Sequence, residues 1–134
     1  MTRVNLAKYR MDKAKEILTE AEDSLKQNHF GMSVNRSYYA MFTSARALLA
    51  LKEVDSSRHS GVISLFNQHI VKAELFSKEI GKFLPKAKDI REDADYGDFV
   101  KITQEDAENQ IDNAKKFVAE AERALLRIIE NAQR

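Results

Sequence analysis

A chain of 134 residues with a formal net charge of +1 and no cysteine is the size of one domain, without disulfides or thiolate metal sites. The balanced charge gives no bulk sign of a nucleic-acid binder. The opening MTRVNLAKYRM carries no apolar run long enough for a signal peptide or membrane span, so a soluble, cytoplasmic protein is expected.

Apolar residues recur at helical spacing from the start. Leu6, Tyr9, Ala14, Ile17, Leu18, Ala21 and Leu25 predict a first helix over 6–27. Asn28-His29-Phe30-Gly31 is expected to end it, with Gly31 supplying the permissive backbone. The second helix runs to about residue 52 and is the most apolar. Val34, Tyr38, Met41, Ala45, Leu48 and Leu49 form one face, beside a stripe of Asn35, Tyr39, Phe42 and Arg46. A helix apolar around most of its circumference belongs at the centre of a bundle. Its alanines let neighbours come close.

Asp55-Ser56-Ser57 reads as a turn that caps a third helix over 59–71. Ser77 is expected to cap a fourth, with a kink or helix start near Pro85 and a close at Gly97. Thr103-Gln104-Glu105-Asp106 is a capping arrangement for a fifth helix running to about residue 130. No strand-like alternation is present. The expected fold is all-α, an antiparallel bundle of about five helices in a single domain over 1–134. Tyr38, Met41, Leu48, Phe66, Ile90, Phe117 and Leu125 are its predicted shared core.

Charge is unevenly placed. Residues 24–52 contain no acid but carry Lys26, Arg36, Arg46 and Lys52, whereas 88–108 hold eight acids against three bases. Polar groups on an apolar helix need partners, since burying them unpaired costs about 1–3 kcal/mol each. Arg36 or Arg46 is therefore expected to pair with Asp93, Asp95 or Asp98, or to face a phosphate. Familiar catalytic devices are absent. There is no glycine-rich phosphate loop, nucleophile elbow or cysteine nucleophile. His59 and His69 are ten positions apart, about 15 Å along one helix, too far to share an ion. Neither a metal nor a cofactor is expected.

Asn35-Arg36-x-Tyr38-Tyr39-Ala40-x-Phe42, then His59-Ser60-Gly61-Val62, Phe66 and Arg91-x-x-Ala94-Asp95-Tyr96, together resemble the HEPN domain family, in its small single-domain prokaryotic branch. The likeness spans nearly the whole chain, and several motifs in one order make it specific. It implies a homodimer with Arg91 and His59 as the catalytic candidates, and Asn35, Arg36, Tyr39, Asp95 and Tyr96 as ligand-binding candidates. It also implies RNA or a nucleotide as ligand, and a small nucleotidyltransferase as partner in a toxin–antitoxin-like pair. HEPN ribonucleases carry an Arg followed, after four to six residues, by a His, and cleave RNA without metal at a dimer cleft. Here Tyr96 stands where that His belongs, and a phenol of pKa near 10 is a poor base at pH 7. The most the enzyme reading supports is a metal-independent endoribonuclease with His59 as base.

Each candidate also has a plainer role. His59 can cap or plug a helix end. Arg91 and Asp95, four apart, can form an intrahelical ion pair. Tyr38 belongs to the core, while Tyr39 shares the polar stripe and can stack on a base. Besides the RNA-directed reading stand a non-catalytic protein–protein interaction module and a plain structural bundle.

Overall fold

The computed structural model describes residues 2–97 and 100–133. The described residues are helical with no strand: α1 Arg3–Lys26, α2 Phe30–Leu51, α3 His59–Phe66, α4 Lys78–Gly81, α5 Phe83–Tyr96 and α6 Gln104–Ala132. Helix α3 continues into a π-wound turn, Asn67–Val71, and α4 is a single turn leading into α5. The all-α bundle of five main helices expected from periodicity is therefore present.

Helix α2 is the axis, in contact with α1, α3, α5 and α6. Fourteen of its residues are buried, from Ser33 to Leu51. Helix α1 runs antiparallel to α2 and to α6, so α2 and α6 run in the same sense. Ser33 Oγ donates to the Ala21 carbonyl at 2.8 Å, and Arg10 donates to the Arg46 carbonyl at 3.1 Å, so α1 descends as α2 rises. Ion pairs Lys15–Glu122 and Lys115–Glu22 set the same relation between α1 and α6. Ala7, Ala14 and Ala21 on α1, and Ala107, Ala114 and Ala121 on α6, repeat every seven residues and are all fully buried. A side chain of one carbon at each contact lets the helix axes approach to the lower end of the usual 8–10 Å. The thin residues of α2 have the same effect.

The wide part of the core is aromatic. Phe66, Phe76 and Phe117 pack with ring centroids 4.8–5.5 Å apart. Of the predicted core, Tyr38, Met41, Leu48, Phe66, Phe117 and Leu125 are buried. Ile90 is not: it is half-buried and lines a surface concavity with Asp93, Val100 and Ile102.

The helix ends show which turn signals carried. Ser77 Oγ accepts from the Ile80 N–H, and Thr103 with Asp106 forms a reciprocal capping box. Pro85 lies in the first turn of α5, where a missing N–H costs nothing, so the chain breaks at Lys82 instead of kinking later. Gly31, in contrast, does not end α1. It sits in the first turn of α2, and Asn28 takes the left-handed conformation at φ 63°. The His29 N–H reaches the Ser24 carbonyl and the Asn28 N–H reaches Leu25, a Schellman closure with Asn in the glycine position. Glu53 and Glu74 occupy the same position after α2 and after the π-turn, at φ 57° and 62°. Nor is α3 capped by a turn side chain. Its N-cap is Arg58, and Ser56 Oγ accepts the Arg58 N–H one position earlier.

Two outcomes check this architecture. Phe117→Ala is expected to lower unfolding free energy by about 3–5 kcal/mol in a denaturant titration. A left-handed Glu carries a backbone cost of about 1–2 kcal/mol that glycine avoids, partly offset by glycine's greater unfolded freedom. Glu53→Gly is therefore expected to leave stability unchanged or raise it by up to about 1 kcal/mol, since its ion pair with Arg3 is largely exposed.

Candidate functional site

The site begins on α2, where Asn35, Arg36, Tyr38, Tyr39 and Phe42 occupy adjacent turns. Helix α5 runs antiparallel beside them and brings in Lys88, Arg91, Glu92 and Asp95. The first residue of α3, His59, closes the third side.

Arg91 is the most buried charge, 8% exposed. Its guanidinium carbon lies 5.2 Å from the Tyr38 ring centre, 5.6 Å from Tyr39 and 6.0 Å from Tyr96. These are within the range of cation–π attraction, which strengthens as the cation is desolvated. Asp95 stands 3.5 Å away, one turn along the same helix, and Glu92 4.0 Å away. The Nε–H is buried without a partner. Tyr39 is covered on its other side by Arg36, 5.2 Å from the ring centre.

A polar chain joins these groups. Arg36 donates to Asn35 Oδ1 at 2.8 and 3.0 Å and to Glu20 of α1 at 3.3 Å. Asn35 then donates to Asp95 at 3.2 Å, and Asp95 faces Arg91. The expected pairing of Arg36 or Arg46 with Asp93 or Asp95 does not occur. Arg36 reaches Asp95 only through Asn35, and Arg46 pairs with Asp55 at 2.9 Å, where Arg10 also approaches at 3.7 Å. The nearer acids won because each is presented by an element directly alongside the arginine. Asp98, the third acid in that expectation, lies outside the described residues.

His59 is packed against aromatic rings, with centroids 4.5 Å from Phe42, 5.7 Å from Tyr39 and 5.8 Å from Tyr38. Its Nδ1 is 3.1 Å from the Tyr38 hydroxyl. Burial pushes the Tyr38 phenol far above its ordinary value, with Arg91 opposing only in part. Burial, then the charges of Arg91, Lys88 and Arg46, hold the His59 imidazole below its ordinary value, against the opposing pull of Glu92. Both groups are therefore neutral near pH 7. A neutral buried phenol has one proton to donate, and Nδ1 faces it. We assign His59 the tautomer with its proton on Nε2. The ring then offers an N–H donor instead of the free lone pair that a general base needs. Glu92 sits low because Lys88 donates to it at 2.8 Å.

Tyr96 is 75% exposed at the end of α5, with Met32, 55% exposed, one turn before Asn35 and Arg36 on α2. The structure thus brings Asn35, Arg36, Tyr39, His59, Arg91, Asp95 and Tyr96 into one patch. The patch is linked by direct contacts and partly open to solvent. Tyr38 and Phe42, which orient His59, and Glu20, which completes the chain to α1, were not recognised as site neighbours from the sequence. Tyr38 and Phe42 stood in the motif beside the candidates, whereas Glu20, on α1, had no signal of its own. No group of three or more His, Asp or Glu among the described residues is arranged to hold a metal ion, and no helix among them is long and apolar enough to cross a membrane.

The sign of the His59 shift fixes a pH dependence. Its folded pKa lies below the unfolded value, so its contribution to stability is present above about pH 6.5 and is lost as pH falls through the folded pKa. Melting temperature is expected to fall between pH 7.5 and 5, and to fall less steeply in His59→Gln, as read by calorimetry at matched ionic strength.

Comparison with known proteins agrees with the family resemblance. The chain is 35% identical over 129 residues to a Thermotoga maritima "UPF0332 protein", covering 96% of this chain and 95% of that one. Two Methanocaldococcus jannaschii proteins, "Putative toxin MJ0605" and "Putative toxin MJ0142", match over 116 residues at 34% and 28% identity, with 87% of this chain and 86% and 79% of theirs covered. Residues 7–124, from the first buried alanine of α1 to near the end of α6, match the model of the HEPN domain, and the chain belongs to that family.

Proposed function

We propose that this chain binds single-stranded RNA or a nucleotide at the Arg36–Tyr39–Arg91–His59 patch, as the toxin-like member of a toxin–antitoxin-like pair. Arg91 is the observation that carries the reading. A guanidinium has five N–H donors, yet this one is desolvated with a buried, unpartnered Nε–H and only loose contacts to Asp95 and Glu92. An orphaned buried donor costs about 1–3 kcal/mol, and a bundle needing only stability does better with an apolar residue there. A phosphate beside Arg91 and Arg36 supplies the missing acceptors as charge-assisted bonds. Tyr39 and the exposed Tyr96 offer faces on which bases stack, and His59 donates from Nε2. The toxin-like part of the reading is supported by the names of the two Methanocaldococcus jannaschii relatives.

The exposed Tyr96 and Met32 flank the patch and support a homodimer in which two copies place their patches on one cleft. A small nucleotidyltransferase is the proposed second partner, on the strength of the family resemblance. Cleavage is the weaker half of the proposal. Tyr96 replaces the histidine of the family's motif, and the Tyr38 bond occupies the His59 nitrogen that would accept a proton.

The test uses mixed RNA with the parent, Arg91→Met and His59→Gln. Arg91→Met is expected to melt at or above the parent temperature, because methionine removes the desolvation cost, while RNA affinity falls at least tenfold. Arg36→Ala is expected to cost at most about 1 kcal/mol in stability, its partners being half-exposed, and also to weaken binding. Chelator-resistant cleavage lost in His59→Gln would restore the enzyme reading. Absence of RNA binding by the parent would remove the proposal.

A further inference from the structure

Nine residues before Arg91 lies Lys82, which precedes α5, and nine after His59 lies Gln68, in the π-turn that follows α3. Lys82 and Gln68 line one concavity at the end away from the patch. At the helical rise, that end is about 14 Å from the patch. There the π-turn after α3 and the start of α5 enclose a concavity of about 510 Å³, lined by Ser64, Asn67, Gln68, Lys72, Lys78 and Lys82, with Val71, Gly81 and Pro85 as its apolar part. That volume lies within the range of small-molecule sites. Its lining holds three ammonium groups and no carboxylate. Among the described residues, none of the three lysines forms an ion pair, although the chain has almost as many acids as bases.

Lys72 and Lys78 also line the adjoining concavity, with Glu74, Glu120 and Arg127, and there Glu120 is already bonded to the Ser77 N–H at 3.2 Å and to Arg123 at 3.1 Å. The π-turn, a winding that recurs at functional sites, carries Asn67, Gln68 and Val71 of the lining on one widened turn. A Cβ on Gly81 would lie 3.1 Å from Val71, so the missing side chain lets α4 close against that turn. Between this end and the patch, Lys88 lies on α5 with its charge answered by Glu92.

We infer that the Lys72–Lys78–Lys82 concavity is a second phosphate-binding subsite, which holds the backbone of a single-stranded RNA running from the Arg91 patch past α3 and α5. The inference rests on the RNA-binding reading above and adds a direction and a footprint to it. Charge complementarity selects a polyanion. Amide and hydroxyl groups in the lining suit phosphate oxygens, and the absence of an exposed aromatic there fits contact with backbone instead of bases.

The test is the salt dependence of RNA affinity, measured by fluorescence anisotropy on the full chain. A Lys72→Gln/Lys78→Gln/Lys82→Gln variant is compared with a control that loses the same charge elsewhere, Lys8→Gln/Lys52→Gln/Lys116→Gln. For single strands each phosphate contact contributes about 0.7 to the slope of log affinity against log salt. The concavity variant is expected to lose about two from that slope and to bind roughly tenfold or more weakly at ~0.1 M salt, for every sequence alike, while the control keeps the parent slope. Loss of affinity without loss of slope, or equal losses in both variants, overturns the subsite and leaves the Arg91 reading standing. A parent that binds no RNA overturns both. Amide shifts of Asn67, Gln68 and Lys82 with inorganic phosphate or adenosine monophosphate, beside an unchanged RNA slope, would assign the concavity to a small anion and overturn the RNA subsite.

Discussion

The desolvated guanidinium of Arg91 against the tyrosine faces of α2 is the constraint on which the site depends. Nine-tenths of Arg91 is hidden, and an arginine so placed is held by whatever surrounds it. Tyr38 and Tyr39 lie on consecutive positions of one helix, yet both face it, because their rings stand nearly perpendicular, at 71°. Asp95 is fixed by its place one turn along α5, and Asn35 by Asp95. Arg36 follows from Asn35, and Glu20 anchors the chain to α1. Three helices are thus registered around one cation that Asp95 and Glu92 meet only at 3.5 and 4.0 Å. Burial first, and then the field of the same cation, favours an uncharged His59.

None of this would reach one place if α2 were thick. Alanine at seven-residue intervals on α1 and α6, and the small residues of α2, draw the helices together around an axis that carries its polar stripe outward toward α5 and α3. The phenylalanines Phe66, Phe76 and Phe117 pack on one another, while Tyr38, Tyr39, Phe42 and His59 form a second ring cluster that carries polar edges.

The fold was legible because its signals are local. Helical period, the Thr103–Asp106 box, the Ser77 cap and the proline at a helix start each depend on residues within one turn of one another. The candidate residues were legible as types, and the family's motif order singled out those that now share a patch. What was not legible depends on alignment between helices. Whether Arg36 meets Glu20 or Asp93 is decided by the register of α1 and α5 on α2, which no single segment encodes. Ile90 keeps helical period with the core but faces a surface concavity beside Asp106 and Gln110 of α6. The αL positions at Asn28, Glu53 and Glu74 escaped because glycine was the residue sought, and the chain's Schellman closures accept residues without it. The lysine concavity had no signal at all, since Lys72, Lys78 and Lys82 are ordinary surface residues until a π-turn and a short α4 place them around one hollow.

The Tyr38–His59 pair bears most directly on what chemistry the patch can do. An aromatic cage and two nearby positive charges favour the neutral ring, which is the state a general base requires. The phenol facing Nδ1 then removes the advantage, because its buried proton has nowhere better to go. What is left is an N–H donor near two guanidiniums, with an exposed Tyr96 in place of a second histidine. The guanidiniums and that N–H attract an anion, while the carboxylates of Asp95 and Glu92 among them are already engaged by Arg91, Asn35 and Lys88. A surface so composed can hold a phosphate and orient it, but a carboxylate tied to a guanidinium or an ammonium is a weak proton acceptor. That imbalance favours recognition over cleavage.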